Sequence, residues 1–226
     1  MIKAVIFDLD DTLVPEEQYV KSGYYHIARI LEKKLNYSKE NLYNLLIRLF
    51  KSSPQKVFNR LYETLGISYK EADILNLVEE YRNHYPSINY FEDVIDCIED
   101  LKKNNIKLGI ITDGYRNSQY QKIRAIKANE QFHHIIVTDD LGREYWKPHP
   151  KPFEMMKEKL NVRFNEMVYI GDNPEKDFYI KSTYPIKTIR IFRDNGVHKN
   201  KPYFNSTKED YKINNLTELH RLIYNL

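Results

Sequence analysis

Three acidic residues lie close together near the N-terminus, directly after the apolar run at residues 4–7. They are Asp8, Asp10 and Asp11, and Thr12 follows them. Side chains two residues apart on an extended segment point the same way, so Asp8 and Asp10 can converge on one ligand. Carboxylate oxygens suit a hard cation such as Mg²⁺. The sequence leaves open a helix N-cap with solvated acids, or a turn at Asp11 and Thr12.

Further polar residues follow other predicted strands or lie in the loops after them. Ligands of open α/β sheets bind at the carboxyl ends of the strands, so these residues and the N-terminal aspartates are expected at one edge of the sheet. Simpler roles also remain: a helix cap for Thr112, a surface position for Lys147 and a first-turn helix acid for Asp177. The additional candidates are Thr112, Lys147, Asp172 and Asp177.

The residue types at this edge predict phosphoryl-transfer chemistry. Asp8, Asp10 and Asp172 can hold an octahedral Mg²⁺ that also binds a substrate phosphate. A carboxylate is a competent nucleophile toward phosphorus, and Asp8 is the better candidate because it lies closest to the strand. Asp10, one pleat outward, is the better general acid and base. Mg²⁺, Lys147 and donors near Thr112 would neutralise the charge of the phosphoryl group in transfer.

The pattern of elements predicts a parallel sheet with one insertion. Residues 16–86 have the spacing of four short helices without a convincing strand. From residue 91 onward, helical and strand patterns alternate, which argues for an α/β fold with helices on both faces of the sheet. We therefore expect a core of residues 1–15 and 87–226 and a helical insertion of residues 16–86. The predicted strands are 4–7, 107–111, 135–137, 167–170, 188–192 and 211–213.

Composition excludes several classes of protein. The 226 residues are 42% hydrophobic and 30% charged, with a formal charge of +3, and no basic block suits a nucleic acid. The apolar runs are far shorter than a membrane span, and the N-terminus has no signal-peptide pattern. Cys97 is the only cysteine, which predicts a buried thiol and a reducing, cytoplasmic location. A monomer and a homodimer both remain possible.

The polar segments resemble the four motifs of the haloacid dehalogenase-like hydrolase superfamily, in its phosphatase branch. Residues 8–12 match the first motif, Asp-x-Asp-x-Thr, and Thr112 matches the hydroxyl of the second. Lys147, with prolines after it, resembles the third-motif lysine. Gly171-Asp172 with Asp177 resembles the acidic fourth motif. The resemblance implies a Rossmann-like three-layer core, and it identifies the helical insertion with the C1-type cap of that family.

The resemblance also implies roles for individual residues. Asp8 would be the nucleophile and Asp10 the acid and base. Mg²⁺ would bind Asp8, the main-chain carbonyl of Asp10, and Asp172. Asp177 would support the site by orienting Lys147 or a metal-bound water.

The sequence departs from the family pattern at a few positions. Asp113 is predicted to bind the phosphate together with Thr112 and Lys147. It stands where many relatives have Asn, which adds a negative charge near the phosphate. Trp146 is expected to line the pocket, and Pro174 fixes a turn within the fourth motif. None of these changes removes a required group.

The expected function is a Mg²⁺-dependent phosphomonoesterase that acts on a small phosphorylated metabolite. Sugar phosphates, nucleoside monophosphates and flavin mononucleotide are the candidate substrates. The segment 111–119, together with Lys122, is similar to relatives that cleave nucleotides, flavin mononucleotide or acylneuraminate phosphates. The alternatives are a phosphosugar mutase of the same superfamily and a non-catalytic, metal-dependent binding module.

Overall fold

The computed structural model describes residues 1–194, 196–223 and 226. The chain forms two compact units, one of residues 1–16 with 88–226 and one of residues 17–87. Within the described ranges, none of the helices combines the length and the apolar character that crossing a bilayer requires. The role of the second unit as a cap stays a prediction.

The first unit is built on one parallel sheet. Its strand order is β3-β2-β1-β4-β5-β6, and each neighbouring pair is parallel. The predicted α/β fold with a parallel sheet is therefore confirmed. The strands are β1 Ala4–Phe7, β2 Lys107–Thr112, β3 His134–Val137, β4 Met167–Gly171, β5 Lys187–Ile191 and β6 Tyr211–Ile213.

The first strand lies in the middle of the sheet because every residue in it is apolar. All four residues of β1 are buried, and since successive side chains point to opposite faces, both faces of the sheet are covered. Phe7 pairs with Ile110 of β2 on one side and with Ile170 of β4 on the other. The carboxyl ends of these three strands therefore lie side by side. Asp8, the residue after β1, lies between the ends of β2 and β4.

Helices connect the strands and form the second unit. Met156 of the eighth helix lies so close to Gly109 in β2 that a Cβ at residue 109 would come within 2.7 Å of its sulfur. A glycine at this position lets the helix approach the sheet. The helices are α1 Glu16–Glu32, α2 Lys39–Ser52, α3 Val57–Leu65, α4 Glu71–Asn83, α5 Val94–Lys103, α6 Arg116–Ala125, α7 Ala128–Gln131, α8 Lys151–Leu160 and α9 Leu219–Ile223.

The second unit has an apolar core of its own. Residues at helical spacing on α1 to α4 supply it, so each helix buries one face. A glycine at position 23 is required by close packing, because a side chain there would collide with the ring of Tyr81. The fully buried members of this core are Ile27, Ala28, Leu31, Leu46 and Leu61.

Two predicted helices differ from the structure. The helix expected at 117–128 is divided, because Lys127 adopts a left-handed conformation with a φ of 51° between α6 and α7. The closing helix expected at 216–226 begins as a 3₁₀ helix, Leu216–Glu218, before α9. Residues 224 and 225 of that prediction lie outside the described residues.

Candidate active site

Asp8 is fixed at the end of β1 by its main chain and its side chain. Its N–H donates to the carbonyl of Ile170 at 2.8 Å, which extends the pairing with β4 by one residue. Its Oδ1 accepts a hydrogen bond from the N–H of Leu9 at 2.8 Å. The residue is 3% exposed. A buried carboxylate needs compensating charge, and the nearest source of that charge is Lys147.

Lys147 holds two of the predicted aspartates together. Its Nζ lies 2.9 Å from Oδ1 of Asp8 and 2.9 Å from Oδ1 of Asp177, and it donates to the hydroxyl of Tyr169 at 2.7 Å. Burial alone would lower the pKa of Lys147, but the charges of Asp177 and Asp8 outweigh burial and raise it. The lysine is therefore a fixed cation beside Asp8, and the alternative of a surface lysine is wrong.

Among the described residues, one group of acidic side chains has the spacing of a metal site. Asp8, Asp172 and Asp177 each offer an oxygen, and these atoms lie within 4.8 Å of one another. Oδ2 of Asp172 is buried and has no hydrogen-bond partner. Burial, followed by the charges of Asp177 and Asp8, raises the pKa of Asp172 well above its usual value. An oxygen-only site with an unpaired buried oxygen fits a divalent hard cation.

Both carboxylate oxygens of Asp177 accept hydrogen bonds. Oδ1 accepts from Lys147, and Oδ2 accepts from the N–H of Asn173 at 2.9 Å. Gly171 makes room for this carboxylate, since a Cβ there would overlap it. Asp177 precedes a 3₁₀ helix, Tyr179–Ser182, so the alternative of an acid in the first turn of a helix is wrong. Through these two bonds, Asp177 contacts Lys147 and closes the turn after β4.

The carboxylate of Asp10 lies outside the acidic group. Nζ of Lys122 is 2.6 Å from its Oδ1 and 2.7 Å from its Oδ2. Nε2 of Gln119 donates to Oδ2 at 3.0 Å. Both partners lie on α6, three residues apart and thus on one face of the helix. Sequence reasoning noted Gln119 and Lys122 only as part of a segment similar to known relatives, and it did not predict that either one contacts Asp10.

The second-motif residues are held by the loops around them. Thr112 ends β2, is fully buried, and accepts a hydrogen bond from Gln119. Since α6 begins at Arg116, after Tyr115, the alternative of Thr112 as its cap is wrong. Asp113 anchors the third motif, because its Oδ1 accepts from the N–H of Lys147 at 3.1 Å. The phosphate contact expected for Asp113 stays a prediction.

The unusual charge of Asp113 has a partner that sequence reasoning missed. Nζ of Lys176 lies 3.2 Å from its Oδ2. Lys176 precedes Asp177 in the turn after β4, so the fourth motif supplies a cation to the second. No pattern in the sequence indicates this pair, because the two residues are distant along the chain.

The turn after Asp10 is fixed from two sides. Asp11 adopts a φ of 49°, and its Oδ1 accepts the N–H of Glu16 at 2.9 Å at the start of α1. Of the acids in this segment, Asp11 is therefore the one that caps a helix. The guanidinium of Arg193 donates to the carbonyl of Thr12 at 2.8 Å and pairs with Asp93 at 2.6 Å. Sequence reasoning did not predict this anchor.

The sequence is similar to known proteins over most or all of its length. Residues 5–191 match the family described as haloacid dehalogenase-like hydrolase. The glyceraldehyde 3-phosphate phosphatase of Methanocaldococcus jannaschii is 28% identical, and the match covers 100% of this chain and 99% of that protein. The pyrophosphatase PpaX of Bacillus cereus is 24% identical, with 100% and 98% covered.

Solved structures have the same fold. The HAD phosphatase from Thermococcus onnurineus matches with a TM-score of 0.63 at 26% identity, over 98% of both chains. The HAD-hydrolase YfnB of Bacillus subtilis, bound to magnesium, matches with a TM-score of 0.67 at 22% identity, again over 98% of both chains. At that identity the second match is evidence for the fold.

The chain belongs to the haloacid dehalogenase-like hydrolases. The family match, over residues 5–191, includes all four predicted motifs. The chain is an enzyme of the phosphatase type within this family, as its motifs predict.

Proposed function

We propose that this protein is a Mg²⁺-dependent phosphomonoesterase that works through an aspartyl-phosphate on Asp8. The observation that carries the proposal is the contact of Lys147 Nζ with Oδ1 of Asp8, at 2.9 Å, beside the unpaired oxygen of Asp172. A nucleophilic carboxylate flanked by a fixed cation and a candidate metal site suits attack on an anionic phosphate ester.

In the first half of the reaction, a carboxylate oxygen of Asp8 attacks phosphorus. The bond from phosphorus to the leaving oxygen breaks, and the leaving oxygen takes a proton from Asp10. In the second half, Asp10 accepts a proton from water as the water attacks phosphorus. The bond to Asp8 then breaks, inorganic phosphate is released, and both aspartates return to their starting states.

The metal would be held by Asp8, Asp172 and the main-chain carbonyl of Asp10, with Asp177 in support. When bound, Mg²⁺ supplies charge neutralisation at the phosphoryl oxygens. Lys147 would supply a second positive charge at Asp8. The Oγ1 of Thr112 accepts a hydrogen bond from Gln119. Because that bond uses a lone pair of the oxygen, the hydroxyl proton of Thr112 is proposed to be donated to the phosphate.

The substrate is proposed to be a small phosphorylated metabolite. Two similar proteins are named for glyceraldehyde 3-phosphate and for pyrophosphate, which supports small substrates. Sugar phosphates, nucleoside monophosphates and flavin mononucleotide complete the panel that the sequence suggests. Cys97 has a free thiol that is half-buried, so the predicted full burial is wrong. The single cysteine of the chain, which cannot form an internal disulfide, supports the proposed cytoplasmic location.

Phosphate release from this panel and from p-nitrophenyl phosphate, measured with and without Mg²⁺, tests the proposal. We expect Mg²⁺-dependent hydrolysis by the wild type and none by Asp8→Asn. Trapping of the acyl phosphate with hydroxylamine should modify Asp8. Failure to release phosphate from any ester, or a label at another residue, would contradict the proposal. An isomerised sugar phosphate without free phosphate would instead indicate the mutase.

A further inference from the structure

Asp10, the acid and base proposed for the reaction, is held by two side chains to which no proton-transfer role has been given. The ammonium group of Lys122 contacts both oxygens of Asp10, at 2.6 and 2.7 Å. Gln119 adds a third donor at 3.0 Å and, through the same Nε2, reaches the hydroxyl of Thr112. The side chain of Lys122 is only 5% exposed, while that of Asp10 is 21% exposed.

Because the side chain of Lys122 is buried, its ion pair with Asp10 is strong and has a fixed geometry. A buried ammonium group without a partner is costly, so Lys122 is committed to the carboxylate it meets. Charge-assisted hydrogen bonds to both oxygens also fix the plane of the carboxylate. Residues 119 and 122 share one face of α6, so the helix sets the position of both donors at once. Asp10 follows β1 in a turn, and α6 provides it with a rigid support.

We propose that Lys122 and Gln119 are positioning residues that hold Asp10 for proton transfer to the leaving group. The inference rests on the proposed function, and it assigns a role to two residues outside the four motifs. When the bond from phosphorus to the leaving oxygen breaks, its electron pair stays on that oxygen, which takes the proton of Asp10. The carboxylate left behind forms between donors that are already in place, so little reorganisation is needed.

If Lys122 positions the acid, the loss of activity on replacing it should depend on the leaving group of the ester. Phenolate is a poor leaving group and needs the proton, whereas p-nitrophenolate departs readily without it. A lysine that only supports the fold would affect both esters equally. A positioning residue for the acid would affect phenyl phosphate more. The ratio kcat/KM is the appropriate measure, because it reports the steps up to departure of the leaving group.

The experiment compares phenyl phosphate with p-nitrophenyl phosphate for the wild type and Lys122→Met, in Mg²⁺. We expect Lys122→Met to lose on the order of tenfold more kcat/KM with phenyl phosphate than with p-nitrophenyl phosphate. Lys122→Arg should recover part of the difference. Arg124→Met, at an exposed position on the same helix, is the control and should leave both values unchanged. Thermal melting verifies that each variant is folded.

A variant at the second donor keeps the inference testable if Lys122→Met does not fold. Gln119→Leu removes one donor and should give a smaller loss with the same preference for phenyl phosphate. In an Asp10→Asn background, adding Lys122→Met should produce no further leaving-group dependence. Equal losses on both esters, or no loss on either, would overturn the inference while leaving the phosphatase proposal intact. A wild type inactive on every ester would overturn the phosphatase proposal, and the inference with it.

Discussion

The ammonium nitrogen of Lys147 lies 2.9 Å from Oδ1 of Asp8, and both side chains are almost completely buried. The same nitrogen is 2.9 Å from Asp177, so one cation balances two carboxylates. This relationship links the stability of the core to the chemistry of the site, because loss of the lysine would leave both anions without their partner.

Replacement of Lys147 should therefore reduce both activity and stability. We expect Lys147→Met to lower kcat by about 10²–10³-fold and the free energy of unfolding by about 3–5 kcal/mol. Lys147→Arg should not restore activity, since a planar guanidinium cannot occupy the position of a compact ammonium. Phosphate release and urea denaturation provide the two measurements. Lys208→Met, at an exposed position, is the control, and equal behaviour of the two Met variants would contradict the prediction.

Mg²⁺ should stabilise the folded protein through Asp172. A ligand present at 100 times its dissociation constant adds about 2.7 kcal/mol to the free energy of unfolding, so the melting temperature should rise with Mg²⁺. Asp172→Asn should abolish this rise. Without metal the variant should be at least as stable as the wild type, because it removes a buried charge beside Asp8 and Asp177. The exposed Asp96→Asn should keep the full response to Mg²⁺.

The pair of Asp113 and Lys176 predicts a non-additive result. Lys176→Met leaves the negative charge of Asp113 beside the proposed phosphate site, and kcat/KM should fall on the order of tenfold from like-charge repulsion. Asp113→Asn alone should have a small effect. The double variant should recover most of the activity that Lys176→Met loses. Additive losses in this double-mutant cycle would show that the two residues act independently.

Glu16 should make stability depend on pH. Burial, and next the charge of Asp10, raise the pKa of Glu16 from 4.5 to about 7. The folded protein then binds this proton more tightly than the unfolded chain does. The stabilising contribution is complete below pH 4.5 and is lost as the pH rises through about 7.

Glu16→Gln tests this pH dependence directly. The variant should match the wild type near pH 4.5 and exceed it above pH 7, by on the order of 1–2 kcal/mol after solvent screening. Urea denaturation of both proteins across this range is the measurement. Glu17→Gln is the adjacent control, because Glu17 is 51% exposed and pairs with Lys21. A constant difference between wild type and Glu16→Gln at all pH values would refute the assignment.

Arg193 should contribute to stability through the turn after Asp10. Its guanidinium is 6% exposed and joins Asp93 to the carbonyl of Thr12. We expect Arg193→Met to lower the free energy of unfolding by about 3–5 kcal/mol, because it leaves Asp93 without its cation. For comparison, Arg163 is 76% exposed, and Arg163→Met should cost at most about 1 kcal/mol. Equal losses for the two variants would contradict this role.

The sheet and the strand-end residues were predictable from sequence for one physical reason. An apolar strand followed by Asp8, and another followed by Asp172, place both carboxylates at the same edge of a parallel sheet without knowledge of any side-chain contact. Thr112 follows from the same rule. Lys147 was placed at the same edge as part of a loop after a strand, but its contacts with Asp8 and Asp177 were not predictable, because a loop residue has no periodic pattern that fixes its orientation.

The contacts of Lys122, Gln119, Lys176 and Arg193 were not predictable in this way. Lys122 meets Asp10 across 112 positions of the chain, and Arg193 meets Thr12 across 181. These contacts depend on how each helix and loop is rotated against the sheet, which the hydrophobic pattern does not determine. The division of the helix after Ala125 was missed because the left-handed residue there is a lysine rather than a glycine.

The central place of β1 in the strand order has a consequence for biosynthesis. This strand precedes both of its neighbours along the chain, and those neighbours, Lys107–Thr112 and Met167–Gly171, are translated much later. A nascent chain therefore carries Asp8, the proposed nucleophile, long before it carries Lys147 and Asp172. Under the proposed mechanism, we expect a fragment that ends before the Met167–Gly171 strand to release no phosphate, because it lacks both a neighbour of β1 and a proposed metal ligand.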